Sequence, residues 1–208
     1  MDIFEAIDTR HTTRVYTSKK PTTDEIKRII NSARLAPSAC NTQNWKFICV
    51  LNDRVKKELA NAILDKYDEF EEKMSPNLYE QIKGFKNHSI FFTRAPLLVV
   101  CVQTYAPKFL EGILEEYGLT NEEILDIRPD SQLLSMGGAV ENMSLAAHAL
   151  GYSACWMVAP LIAQEGMRRI LNLQKPDQIV SLLAIGEEEI EVKRAPKKDL
   201  DEVIEIIE

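Results

Sequence analysis

Apolar positions recur along this chain with two different periods, and the changes of period mark out its elements. Over residues 23–36, Ile26, Ile29, Ile30 and Ala33 fall at helical spacing behind a cap formed by Thr22-Thr23-Asp24. The pattern stops before Pro37, which predicts a helix ending there. The aromatic and β-branched run 45–51, closed by Asn52-Asp53, predicts a buried strand. A second amphipathic helix follows, with Val55, Leu59, Ala62, Ile63, Tyr67 and Phe70 on its inward face and Lys56, Lys57, Glu58, Asp65 and Lys66 on its outward face.

Residues 96–102 are apolar throughout, as in a central strand covered on both faces. Residues 131–150 form the most apolar helical stretch, carrying Met136, Ala139, Val140, Met143, Ala146, Ala147 and Leu150 and ending at Gly151 as a C-terminal cap. Its many small residues allow close packing, against the body of the fold or against a copy of itself. Residues 152–158 and 178–185 read as two more strands, separated by a short helix near 165–171. A late apolar segment, 200–207, follows a polar, Lys-rich stretch and has the character of an arm. Helices and strands mix without strict βαβ alternation, which predicts an α+β fold with a sheet wrapped by helices.

At 208 residues the chain is long enough for one well-buried core and short for two enzyme domains, so a single domain, 1–208, is expected. The net charge of -7 is spread along the chain, and no Lys/Arg-dense stripe carries interleaved aromatics, which argues against nucleic-acid binding. Cys40, Cys49, Cys101 and Cys155 are far apart and have no His at ligand spacing, so a metal site is not expected. Cys49 and Cys101 lie in strand-like runs, which suits buried, reduced thiols. The start Met1-Asp2-Ile3-Phe4-Glu5 lacks a basic region followed by an apolar one, and no apolar run reaches the roughly 18 residues of a membrane span. A cytoplasmic protein without membrane partners is the expectation.

The sequence lacks G-x-G-x-x-G, G-x-x-x-x-G-K-[ST] and G-x-S-x-G, and His11, His88 and His148 are scattered, so Rossmann-type and P-loop nucleotide binding and Ser/His hydrolysis have no footing. Two clusters remain. Arg10-His11-Thr12-Thr13-Arg14 gathers guanidinium, imidazole and hydroxyl donors, a good phosphate-binding set that also describes a solvated basic turn. Ala36-Pro37-Ser38-Ala39-Cys40-Asn41-Thr42-Gln43-Asn44-Trp45 concentrates short side chains and amides that can approach a flat heteroaromatic ring, or can merely cap the preceding helix.

R-H-T-T-R-V-Y at 10–16, an amphipathic helix, A-P-S-A-C-N-T-Q-N-W at 36–45 and an apolar strand together resemble the opening of the nitroreductase family. The stretch from Gly138 to Tyr152, Cys155-Trp156 and the ending Ala184-Ile185-Gly186 with Leu200-Asp201-Glu202-Val203-Ile204 resemble its central helix, following strand and last strand with arm. Residues 65–95 and 103–130 match poorly; Asn44 stands where the family usually has Pro, and His11-Thr12-Thr13 replaces an Arg-Ser-x pattern.

The resemblance implies a mainly antiparallel sheet, a long central helix at a homodimer interface, an extended C-terminal arm and FMN held non-covalently in sites shared between subunits. It implies that Arg10, His11, Thr12 and Arg14 hold the phosphate and ribityl chain, completed by Lys197, Lys198 or Arg194. Pro37, Ser38, Ala39 and Asn41, with Gln43 nearby, would border the ring from the other subunit. Met157-Val158-Ala159 would offer a backbone N–H toward the ring, and Asn87 would reach its polar edge. NADH or NADPH would donate hydride to the flavin and a small aromatic acceptor, a nitroaromatic or quinone, would then take its place; no side chain is assigned an acid or base role. A flavin-binding or flavin-sensing protein without turnover, and a relative that dehalogenates or modifies flavin, are the alternatives.

Overall fold

A computed structural model describes residues 1–107 and 109–208. Four strands, β1 (Trp45–Val50), β2 (Leu97–Gln103), β3 (Ser153–Met157) and β4 (Gln178–Gly186), form one sheet in the order β1-β2-β4-β3, with every neighbouring pair antiparallel. The helices are α1 (Ile3–Thr9), α2 (Thr23–Arg34), α3 (Asp53–Lys73), α4 (Pro76–Ile90), α5 (Leu110–Tyr117), α6 (Asn121–Ile127), α7 (Ser131–Ala149) and α8 (Gln164–Ile170).

The apolar run 97–102 of β2 is explained by two cores, one on each face of the sheet. Leu97, Val99 and Cys101 point into a core with α2 and α7, whereas Leu98, Val100 and Val102 point into a core with α3 and α8. Both predicted amphipathic helices form. A capping box of Thr22 and Glu25 starts α2. At the end of α7, Gly151 adopts φ 83° and donates its N–H to His148 O, while Tyr152 N–H reaches Ala147 O, a Schellman closure that returns the chain to β3.

One outward assignment is corrected. Lys56 is 2% exposed, because its Nζ donates to Ala95 O at 2.6 Å and pairs with Asp53 Oδ1 at 2.8 Å. The buried charge is offset by these partners, so a lysine fills a helix position that periodicity alone gives to solvent. Cys101 is buried, as expected, but Cys49 is only partly so. Helices α4, α5 and α6 lie between the motifs that carry the resemblance, and all three expose apolar side chains, among them Phe85, Ile113, Tyr117 and Leu125.

Candidate functional site

The segment after α1 is stitched to the sheet edge. Thr12 bridges Ala154 and Tyr16 bridges Glu188, while the buried Tyr16 hydroxyl donates to Thr13 O at 2.8 Å. Gly186 lets this segment approach: a Cβ there would sit 2.6 Å from Pro96 Cδ and 2.7 Å from Tyr16 Cδ1. Desolvation holds the Tyr16 hydroxyl above its usual pKa, so it serves as a donor.

Beside this segment lies a cavity of about 480 Å³. Met157, Val158 and Ala159, at the end of β3, line one side, and Arg14 and Trp156 contribute to its wall. Gln81, Gly84, Phe85 and His88 come from one face of α4 at i, i+3, i+4 and i+7 spacing, and Phe91 follows. Asn87, expected at this site, is exposed and does not line the cavity; its neighbour His88 does. His88 Nδ1 lies 2.9 Å from Gly84 O, a pure acceptor, so Nδ1 donates. The Cys155 thiol in the same wall is pushed up by burial and stays protonated.

The N-terminal donors gather at the end of α1. Arg10 Nε meets Glu141 of α7 at 3.3 Å. His11 is flanked by acceptors on both ring nitrogens, Thr9 O at 3.1 Å and Glu188 Oε2 at 2.5 Å. Arg194 Nη1 donates to Asp8 O at 3.2 Å, whereas Lys197 and Lys198 are exposed further along the arm. His148 Nε2 is 2.8 Å from Thr9 Oγ1. Burial, followed by the nearby His11, Arg194 and Arg10, lowers its pKa. Sequence reasoning missed Glu141 and Glu188, because carboxylates paired with Arg10 and His11 run against the charge pattern expected of a candidate phosphate site.

The 36–45 loop lies apart, and none of its residues lines the 480 Å³ cavity. Cys40, Asn41 and Gln43 all adopt left-handed backbone, with φ of 51°, 54° and 47°. Hydrogen bonds fix this path: Ala39 N–H donates to Ser135 Oγ at 3.0 Å and Gln43 N–H to Ser38 Oγ at 3.1 Å. Pro37, Asn41 and Gln43 are exposed, with Ser38 and Ala39 half-buried. The loop therefore presents Pro37, Cys40, Asn41 and Gln43 to the surface on a hydrogen-bonded frame.

A model of the nitroreductase family matches residues 7–187. The chain belongs to the nitroreductase family. A relative from Haemophilus influenzae, named as a putative NAD(P)H nitroreductase, is 24% identical over 190 residues, covering 89% of this chain and 88% of the relative. Among solved structures, a BluB-like flavoprotein from Clostridium difficile 630 superposes over 100% of both chains with a TM-score of 0.91 and 25% identity. A nitroreductase with bound FMN from Bacteroides fragilis covers 100% of both chains at a TM-score of 0.74 and 21% identity. The antiparallel sheet, the long α7 and the exposed C-terminal segment are the nitroreductase architecture that the motifs imply. Among the described residues, no helix is long and apolar enough to cross a membrane.

Proposed function

We propose that this nitroreductase-family chain works as one FMN-binding unit, 1–208, in an NAD(P)H-dependent oxidoreductase that reduces a small aromatic acceptor. The observation that carries the reading is the meeting of Arg14, His88 and Met157–Ala159 around one largely apolar cavity; Arg10, His11, Thr12 and Arg194 do not line it, and Arg14 is the member of the N-terminal cluster that does. These residues suit FMN. Phe85, Phe91 and Met157 offer apolar surface to a flat ring, and Arg10, His11, Thr12, Arg14 and Arg194 offer donors to a phosphate and ribityl chain. Arg10 spends one contact on Glu141 out of a five-donor group, and so keeps capacity for an anion.

Bound FMN would supply hydride acceptance and release. The chain's own part is placement. The Met157–Ala159 backbone would offer an N–H toward the ring, Arg14 would help to hold the phosphate and ribityl chain, and the apolar wall would limit water. Donor and acceptor would then use the same open side in turn, and no side chain would need to act as a strong acid or base.

Dimerisation completes the site in this reading. Leu134 is 64% exposed and Gly138 is also exposed on the outward stripe of α7, and Ile204, Ile206 and Ile207 of the arm are exposed too, an apolar surface suited to a second copy. Steady-state kinetics with varied NADH or NADPH and a quinone or nitroaromatic test the reading: it predicts parallel double-reciprocal lines, and absence of turnover with either nucleotide contradicts it. The TM-score of 0.91 to a BluB-like flavoprotein supports a flavin as the bound group.

A further inference from the structure

We infer that Glu188 is a positioning residue for the phosphate end of the flavin site, acting through Arg194, an inference that rests on the FMN reading above. Glu188 joins the N-terminal segment, the sheet edge and the C-terminal arm. Its Oε2 faces His11 Nε2 at 2.5 Å and accepts from Ser153 Oγ, at the start of β3, at 3.2 Å. Its Oε1 accepts from Val192 N–H of the arm at 2.8 Å. Ser153 is buried and the Glu188 side chain is 19% exposed, so the carboxylate is held in place with both oxygens engaged.

The path of the arm follows from this carboxylate. Residues 187–189 run beside 15–17, with Thr17 N–H donating to Glu187 O at 2.9 Å and Glu189 N–H to Val15 O at 3.3 Å. Past that pairing, the hydrogen bond from Val192 closes a turn over 188–192 and directs residue 194 back toward α1. Arg194 Nη1 there donates to Asp8 O at 3.2 Å, and its charge, like that of Arg10, reaches His148. One carbonyl takes a small part of a group with five N–H donors, so Arg194 keeps capacity for an anion at the end of α1. Residues 193–199 are exposed and belong to neither helix nor strand, so the turn that Glu188 closes decides where Arg194 stands.

Fluorescence titration of each variant with FMN and with riboflavin separates placement of the phosphate cation from general damage, since riboflavin has the ring and ribityl chain without the phosphate. Arg194→Ala should lower FMN affinity by about tenfold or more and leave riboflavin affinity unchanged. Glu188→Ala should give the same FMN-selective loss. The double variant Glu188→Ala/Arg194→Ala should lose no more than Arg194→Ala alone, because one residue acts through the other. Glu188→Gln keeps an acceptor for Val192 N–H and should restore the preference for FMN. Amide hydrogen exchange at Val192, read by NMR on the flavin-free chain, should quicken in Glu188→Ala and not in Glu188→Gln. A wild-type preference for FMN in Glu188→Ala, equal losses of FMN and riboflavin, or additive losses in the double variant overturn the inference. Wild-type chain that binds neither flavin overturns the FMN reading itself.

Discussion

His11 and Glu188 meet at 2.5 Å between Nε2 and Oε2, joining the phosphate-binding candidate of the N-terminal segment to the residue that follows the last strand by two positions. The Val192 N–H and Ser153 Oγ also donate to this carboxylate. Partial burial works to raise its pKa, but the His11, Val192 and Ser153 donors outweigh it, and the group is held below the usual carboxylate value. A carboxyl lowered in the folded state stabilises the fold above its unfolded value near 4.5, and this contribution is lost as pH falls below it. Glu188→Gln should cost about 1 kcal/mol near neutrality, the pair being partly screened, and the difference from wild type should shrink in acid. Thermal melts at pH 7 and pH 4 check this, and a gap that widens in acid contradicts it.

His148 carries a lowered pKa, from burial first and from its neighbours His11, Arg194 and Arg10 next. Its stabilising contribution is therefore present above the unfolded value of 6.5 and is lost as pH falls through the lower folded value. A phosphate held by this cluster offsets the positive neighbours and should move the His148 midpoint upward. Proton NMR titration of the ring should show that rise with FMN and not with riboflavin. Equal midpoints with both ligands would place the phosphate elsewhere.

Arg14 and His88 bracket the cavity, and each should be felt in flavin affinity. Arg14→Ala removes a charge-assisted contact of about 1.5–3 kcal/mol, a loss of roughly ten- to a hundredfold in FMN affinity with the fold intact. His88→Ala should weaken binding, whereas Asn87→Ala should leave it unchanged, since only His88 lines the cavity. Fluorescence titration with FMN distinguishes the two; the reverse ranking would mean that α4 presents another face.

Lys56 supplies a stability test remote from the site. Lys56→Met keeps the buried stem but leaves Ala95 O without its 2.6 Å donor, so it should destabilise the chain by about 1–3 kcal/mol. Chemical denaturation measures this, and a neutral effect would show that the carbonyl finds another donor.

The elements with strong periods were legible before any coordinates. β2 reads as central because residues 97–102 are all apolar, and α7 reads as core because its apolar residues are dense and Gly151 closes it. Helix α4 was not legible, since Phe85 and its neighbours face an open cavity instead of a core, and only Ile82 and Ile90 of its apolar residues pack against the α3 core. Asn87 and His88 differ by one position, a turn of about 100° on a helix, and motif likeness could not fix that register. The Gln81, Gly84, Phe85, His88 spacing was the available signal. Lys56 escaped because hydrophobic patterning has no term for a lysine satisfied by a carbonyl and a carboxylate four or fewer residues from the helix start.

The most direct test of an FMN-dependent, NAD(P)H-driven enzyme is the visible spectrum of the purified chain after FMN loading and desalting, followed under anaerobic conditions through addition of NADH and then NADPH. Retained flavin bands that bleach with either nucleotide are the predicted result. Bands that persist after both additions, or no retained flavin at all, would contradict it.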